Sequence, residues 1–322
     1  MTMKRRSSTR NSATSLKTSA LLLGSNDQQQ HPRDTKKQKR HTTTNTIIKK
    51  SHWSRPGVEA AARLVSLPLS SSSSSSSVDN TMTSWNTALS RYEYTIKAKG
   101  GDTTKLYKLD QQRNVIAQQW RTTEEKNQKQ RNTSMTKDQL LTVIIPWKFL
   151  KGKPRNALKP LLQSNKEGDV IQSSMTAFNF ADDSSIAAAA AAADSCCDNN
   201  NHDVEEAIKS LCKLCGVGPA TASAVLSAYC PQSFAFMDDE VIECLYEAKR
   251  GYTLKIYLAV NDRCVDIAEQ LNEASSSSSS SSSKEETKNN KWSPADVGKA
   301  LWTVATMSAR NDEVGLCKVF GD

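Results

Sequence analysis

Histidine is nearly absent from this chain, and none lies where a folded domain would use it. The four histidines are His31, His41, His52 and His202. Three sit in a Ser/Thr-rich basic tail and the fourth in a polar linker. His-based zinc sites and Ser/His or Cys/His nucleophile pairs are therefore not expected in the folded part. No run of 18 apolar residues occurs, so no transmembrane helix is expected. No segment alternates apolar and polar residues with a period of two, and no repeat is found, so strands and solenoids are not expected. The eight cysteines follow no secretory apolar segment and mostly sit among apolar residues at helical spacing. They read as small buried hydrophobes of an intracellular protein.

The 322 residues suffice for one or two domains, but much of the chain is low-complexity. Ser70–Ser77 and Ser275–Ser283 are unbroken serine, and Ala187–Ala193 is unbroken alanine. Mean hydropathy is −0.58. The foldable part is roughly 85–320 with inserts, the size of one ordinary domain.

Charge is segregated. Residues 1–80 carry 14 Lys/Arg against 4 Asp/Glu, residues 81–160 carry 16 against 6, and residues 161–322 carry 13 against 24. A basic chain suggests nucleic acid or a membrane surface. Here half of the excess sits in the tail and half in 81–160. Residues 1–84 read as a disordered tail. Lys36-Lys37-Gln38-Lys39-Arg40 resembles a nuclear localisation cluster. The first 26 residues, basic and free of acids, also fit an organelle transit segment, so a mitochondrial or plastid address stays open.

The organisation predicted after the tail is the N-terminal part of a helical domain (85–180), a low-complexity insert (181–202) and a helical hairpin region (203–272). A Ser-rich insert (273–291) and a C-terminal helix and tail (292–322) follow. Trp85, Leu89, Tyr92 and Ile96 keep helical spacing. Residues 100–134 are polar and carry no clear assignment. Asp138–Phe149 predicts a helix that Pro146 kinks or splits. Short helices are predicted over Asn156–Gln163 and Val170–Phe178. Further helices are predicted over Asp239–Lys249, Leu254–Val260, Val265–Asn272 and Pro294–Met307.

The firmest feature is Asp203–Tyr229. Asp203-Val204-Glu205-Glu206 has the pattern of a capping box opening a helix. Val204, Ala207, Ile208, Leu211 and Leu214 form one apolar stripe. Gly216-Val217-Gly218 then breaks the helix, and Pro219 suits the first position of the next. The small residues Thr221 to Ala224 let the two helices approach. Free N–H groups at Gly216, Val217, Gly218, Ala220 and Thr221 would make a concave donor site for an anion, such as a backbone phosphate.

Leu214-Cys215-Gly216-Val217-Gly218-Pro219-Ala220-Thr221-Ala222-Ser223 resembles the helix-hairpin-helix of the endonuclease III-like DNA glycosylases. That resemblance implies an all-α, DNA glycosylase-like fold. It also implies an aspartate about 22 positions after the first hairpin glycine, where Asp238 falls, as the catalytic carboxylate. The chain departs from the family in three ways. Ala220 stands where bifunctional members carry their lysine, no four-cysteine cluster follows, and Asp239-Glu240 come directly after Asp238. Trp147-Lys148-Phe149-Leu150-Lys151-Gly152-Lys153-Pro154-Arg155 together with the hairpin also resembles a little-described group of eukaryotic proteins without a settled activity.

Each candidate has a structural alternative. Asp238 or Asp239 can cap the following helix. Cys212 and Cys215 form a Cys-x-x-Cys pair that lacks two further ligands, so no metal is expected and no cofactor is implied. Lys148, Lys151, Lys153 and Arg155 can clamp phosphates or form a solvated face, and Trp147 can stack on a base or sit in the core. Three functions stay open: sequence-independent DNA binding, a catalytically inactive protein-interaction module using the acidic 203–250 surface, and a monofunctional N-glycosylase using Asp238. No membrane partner is expected, and the oligomeric state is not indicated.

Overall fold

The computed structural model describes residues 57–69, 75–101, 104–122, 133–191, 199–246, 251–278 and 291–321. The targeting clusters lie outside the described residues, as do 1–56 as a whole. The described residues all belong to one unit, Ile47–Asp322. They form α-helices, turns and no strand. No helix among them is long and apolar enough to cross a membrane.

The helices are α1 (Val58–Val65), α2 (Ser75–Ser90), α3 (Tyr92–Gly100), α4 (Lys105–Thr122), α5 (Lys137–Gln139), α6 (Ile145–Lys151) and α7 (Lys159–Ser164). They continue with α8 (Glu167–Ala191), α9 (Asn199–Cys212), α10 (Pro219–Tyr229), α11 (Asp239–Leu245), α12 (Leu254–Ser278), α13 (Pro294–Ala309) and α14 (Glu313–Phe320).

Two helices are buried along most of their length, and the rest pack around them. α13 is capped by Ser293, whose Oγ accepts from the Asp296 N–H at 3.2 Å, and Pro294 takes its first position. It buries Val297, Leu301, Trp302, Val304 and Met307, and α1, α2, α3, α11, α12 and α14 pack on it. α10 buries every residue from Ala220 to Tyr229 and is covered by α4, α6, α8, α9 and α12. The buried residues around both helices form one continuous core.

Several predicted boundaries move. The folded part starts before Trp85: α1 buries Val58, Ala61 and Leu64, and Gly57 enters it at φ 104°, where a Cβ would lie 2.1 Å from the Ala305 carbonyl oxygen. Serine runs do not stop helices: α2 begins at Ser75, and α12 runs unbroken through 260–265 and on to Ser278, since no Gly or Pro intervenes. α9 begins at Asn199, so Asp203 lies inside the helix and forms no capping box there. α8 extends through the predicted short helix into the alanine run. The unassigned stretch contains α4, with Leu106, Leu109, Ala117 and Trp120 buried at helical spacing.

The interruption expected at Pro146 takes the form of a change of helix type just before it. The backbone passes through a π-helical turn, Leu140–Ile144, closed by the Ile145 N–H bonding the Leu140 carbonyl. A proline lacks one N–H of the ladder and crowds the carbonyl four residues back. One wider turn absorbs both effects. Beyond it, Trp147 packs on Phe236 and under Arg113, and Lys151 pairs with Asp238.

Candidate functional site

A cleft of about 110 Å³ opens where the end of α6, the hairpin and the start of α11 meet. It is lined by Lys148, Lys153 and Arg155 on one side, by Gly216, Gly218, Ala220 and Thr221 on another, and by Phe236, Asp238, Asp239 and Tyr252.

The hairpin wall is built by close packing. Gly216 has φ 76°, and a Cβ there would come 3.1 Å from the Leu161 side chain and 3.3 Å from the Leu162 backbone nitrogen. Asn165, just after α7, holds the turn from below. Its Oδ1 accepts from the Cys215 N–H at 2.8 Å, and its Nδ2 donates to the Cys215 carbonyl at 2.9 Å and the Leu162 carbonyl at 3.0 Å. The Val217 N–H is committed to the Leu214 carbonyl at 3.1 Å and the Thr221 N–H to the Gly218 carbonyl at 2.8 Å. Among the described residues, the Gly216, Gly218 and Ala220 N–H groups bond no other backbone group. The donors offered to the cleft are therefore fewer than the five the sequence suggested. Val217 itself is buried and does not line the cleft.

The basic wall also divides. Lys153 and Arg155 are exposed, and the Arg155 guanidinium lies 4.5 Å from the centre of the Tyr252 ring. Lys148 is half-buried. Loss of hydration and then the nearby Arg155 charge push its pKa down to about 8. Lys151 is not a phosphate clamp. Its side chain is 3% exposed and turned inward, where Nζ pairs with Oδ2 of Asp238. The rings of Trp302, Phe236 and Trp147 surround the same ammonium, with centroids at 4.2, 5.1 and 5.7 Å. Burial lowers the Lys151 pKa and the Asp238 charge opposes that shift. α6 winds such that Lys148 and Lys151, three residues apart, end on the cleft and in the core respectively.

Asp238 has the extended backbone of an N-cap, φ −84° and ψ 150°, but its side chain makes no cap bond to α11. Its carboxylate belongs to the Lys151 pair, with Oδ2 engaged and Oδ1 bonded to no described residue. Asp239 accepts from the Tyr252 hydroxyl at 2.5 Å. Glu240 follows half-buried, its pKa raised first by burial and then by the Asp238 charge. The three acids therefore do not act as one repulsive patch. Asp238 is neutralised from inside, and Lys148, Lys153 and Arg155 face Asp239 across the cleft.

A second group of residues went unread in the sequence. Arg113 on α4 is 5% exposed and stacks over Trp147, with its carbon centre 4.2 Å from the ring centroid. Its Nη2 donates to the Ala224 carbonyl at 2.9 Å and to Ser227 Oγ at 2.8 Å. Asp110, one helical turn earlier, accepts from Trp147 Nε1 at 2.8 Å and from the Tyr92 hydroxyl at 3.0 Å. Trp147 is thus a core residue, held by a carboxylate at its edge and a guanidinium on its face. The usable signal was the 106-109/110-113-117-120 spacing, obscured because two of its buried positions carry charge.

The cysteines Cys212 and Cys215 are free, half-buried and exposed respectively. No group of three or more potential metal ligands occurs among the described residues. Comparison with protein-family models, with curated proteins and with solved structures finds no match.

Proposed function

We propose that this protein binds the sugar–phosphate backbone of DNA, independently of sequence, in the cleft between the hairpin and the Lys148–Arg155 segment. One observation carries the reading: unpaired main-chain N–H groups and three cations line the same cleft. N–H groups at a helix start, with cations opposite, suit a singly charged oxygen cluster and read no base edge. At the cleft itself Asp238 does not oppose this, because its charge is compensated by Lys151. A glycosylase-type arrangement of the helices is part of the same proposal, supported by the hairpin and by an aspartate at the cleft edge.

The test is a salt titration of binding to labelled duplex DNA. With three cations engaged, log Kd should change with log salt by a slope of about 3, near 0.9 per phosphate. Replacing Lys153 and Arg155 by Gln should lower that slope by about 2. A flat response, or no binding near 50 mM salt, overturns the proposal.

A second reading makes Asp238 the reactive carboxylate of an N-glycosidic cleavage. It is favoured by the absence of a cap bond from the Asp238 side chain to α11 and by the place of Asp238 in the cleft lining. It requires release of a free base from damaged duplex, abolished in Asp238→Asn. Unchanged release in that variant removes it.

A further inference from the structure

Beside Asp238 lies a second, smaller chamber of about 20 Å³. Its walls include Tyr92, Arg113, Ser227, Asp238, Gly298 and Lys299, over the rings of Trp147 and Phe236. It shares Asp238 and Phe236 with the main cleft.

Three observations converge on it. Gly298 is buried in α13, yet a Cβ built on it would meet nothing within 4 Å. A glycine inside a helix is destabilising relative to alanine, and here the space an alanine methyl would fill borders the chamber. Arg113, 5% exposed, commits Nε and Nη2 to Ala224 and Ser227. Its Nη1 donates to no described residue. Oδ1 of Asp238 likewise accepts from none. Two residues that line one small polar space thus each keep one polar atom without a described partner.

Size decides what fits. A water needs about 10–15 Å³ of such space and two to four polar partners. A phosphate or a ring needs several times more. The charges are already balanced, since Lys151 answers Asp238, Asp296 sits 3.0 Å from Lys299, and Asp110 lies within electrostatic range of Arg113. A neutral occupant is favoured over an ion.

We propose that this chamber is a built site for one water molecule, accepting from Arg113 Nη1 and donating to Asp238 Oδ1, with Gly298 supplying the room. The Tyr92 and Ser227 hydroxyls complete its shell. Arg113 and Gly298 are then positioning residues. The carboxylate shared by the cleft and the chamber is then hydrated from the chamber. The chemical meaning of that water rests on the cleft reading above, but its presence does not.

The sign of a stability change tests it without any nucleic acid. Gly298→Ala places a methyl in the chamber without a clash. With the water displaced, Arg113 and Asp238 each lose a partner, and the melting temperature falls despite the better helix former. Gly298→Ser puts a hydroxyl in the same space and recovers part of the loss, although serine is a poorer helix former than alanine. A rise in melting temperature for Gly298→Ala, with Gly298→Ser below it, overturns the proposal. A high-resolution crystal structure of the unaltered protein gives the direct check: one water within hydrogen-bond distance of both Nη1 and Oδ1 supports it, and a dry chamber overturns it. Loss of DNA binding in the unaltered protein would defeat the cleft reading and leave this result standing.

Discussion

Lys151→Met is the most informative single change in this protein. It removes the ammonium but keeps the length and apolar stem of the side chain. Asp238, 3% exposed, would be left as an uncompensated buried carboxylate. Breaking a buried pair from one side costs about 3–5 kcal/mol, most of it the desolvation of the partner left behind. The lost ammonium–ring attraction at Trp302, Phe236 and Trp147 adds to this, at most about 2 kcal/mol. Against a total stability of about 5–15 kcal/mol, this is a large fraction. Asp238→Leu should cost less than Lys151→Met. Lys151 already has a lowered pKa and can shed its proton, whereas loss of the Asp238 charge lowers that pKa further. For a lysine whose folded pKa lies below its unfolded value, stability rises with pH between the two. The deficit of Asp238→Leu should therefore shrink as pH is raised toward 10.5, the ordinary lysine value. The double variant restores neutrality and should lie within about 2 kcal/mol of the unaltered protein, giving a coupling energy of about 3 kcal/mol. Urea unfolding followed by tryptophan fluorescence reports all four proteins, since Trp147 and Trp302 flank the pair. If the single changes each cost under about 1 kcal/mol and add, the pair is not the buried, mutually dependent unit described here.

Other expectations can be checked with the same material. Lys148, with its pKa lowered to about 8, should lose its charge as pH passes that value. DNA affinity should then fall above pH 8, while folding stability rises between about 8 and 10.5, the unfolded chain holding the proton longer. Lys148→Met should remove the affinity step, as read by anisotropy across pH. Gly216→Ala must hold alanine at φ 76° against Leu161 and Leu162. A loss of about 1–3 kcal/mol in urea unfolding is expected, and a neutral result would show the turn relaxing freely. Asn165→Ala leaves the Cys215 backbone N–H and carbonyl without their partner, at a cost of about 1–3 kcal/mol. Amide exchange at Cys215 should accelerate first, with the salt slope of binding reduced as the hairpin donors lose their alignment.

Much of the chain could be read without coordinates. The hairpin was legible because glycines, proline and a 3.6-residue apolar period are local signals that neighbours seldom override. Trp85, Ile96 and Leu140 are core as their spacing implied. The buried charges were not legible. Asp110 and Arg113 made α4 look polar, yet both are interior because they satisfy Trp147, Tyr92, Ala224 and Ser227 from elsewhere in the chain. A charged residue reads as exposed until its partner is known, and these partners lie 18 to 114 positions away.

Local chemistry alone therefore determined the all-helical class, the hairpin and the segregation of charge along the chain, since backbone preference, glycine conformation and composition act over a few residues. Tertiary structure alone decided which charges face the cleft. Lys148 and Lys151 are the same residue type on the same short helix, and nothing local separates them. One lines the cleft and the other enters a cage of three aromatic rings to neutralise Asp238. That division follows from what each side chain meets, Arg155 for Lys148 and Asp238 among the rings of Trp302, Phe236 and Trp147 for Lys151, where burial makes an unpaired charge cost far more than a paired one.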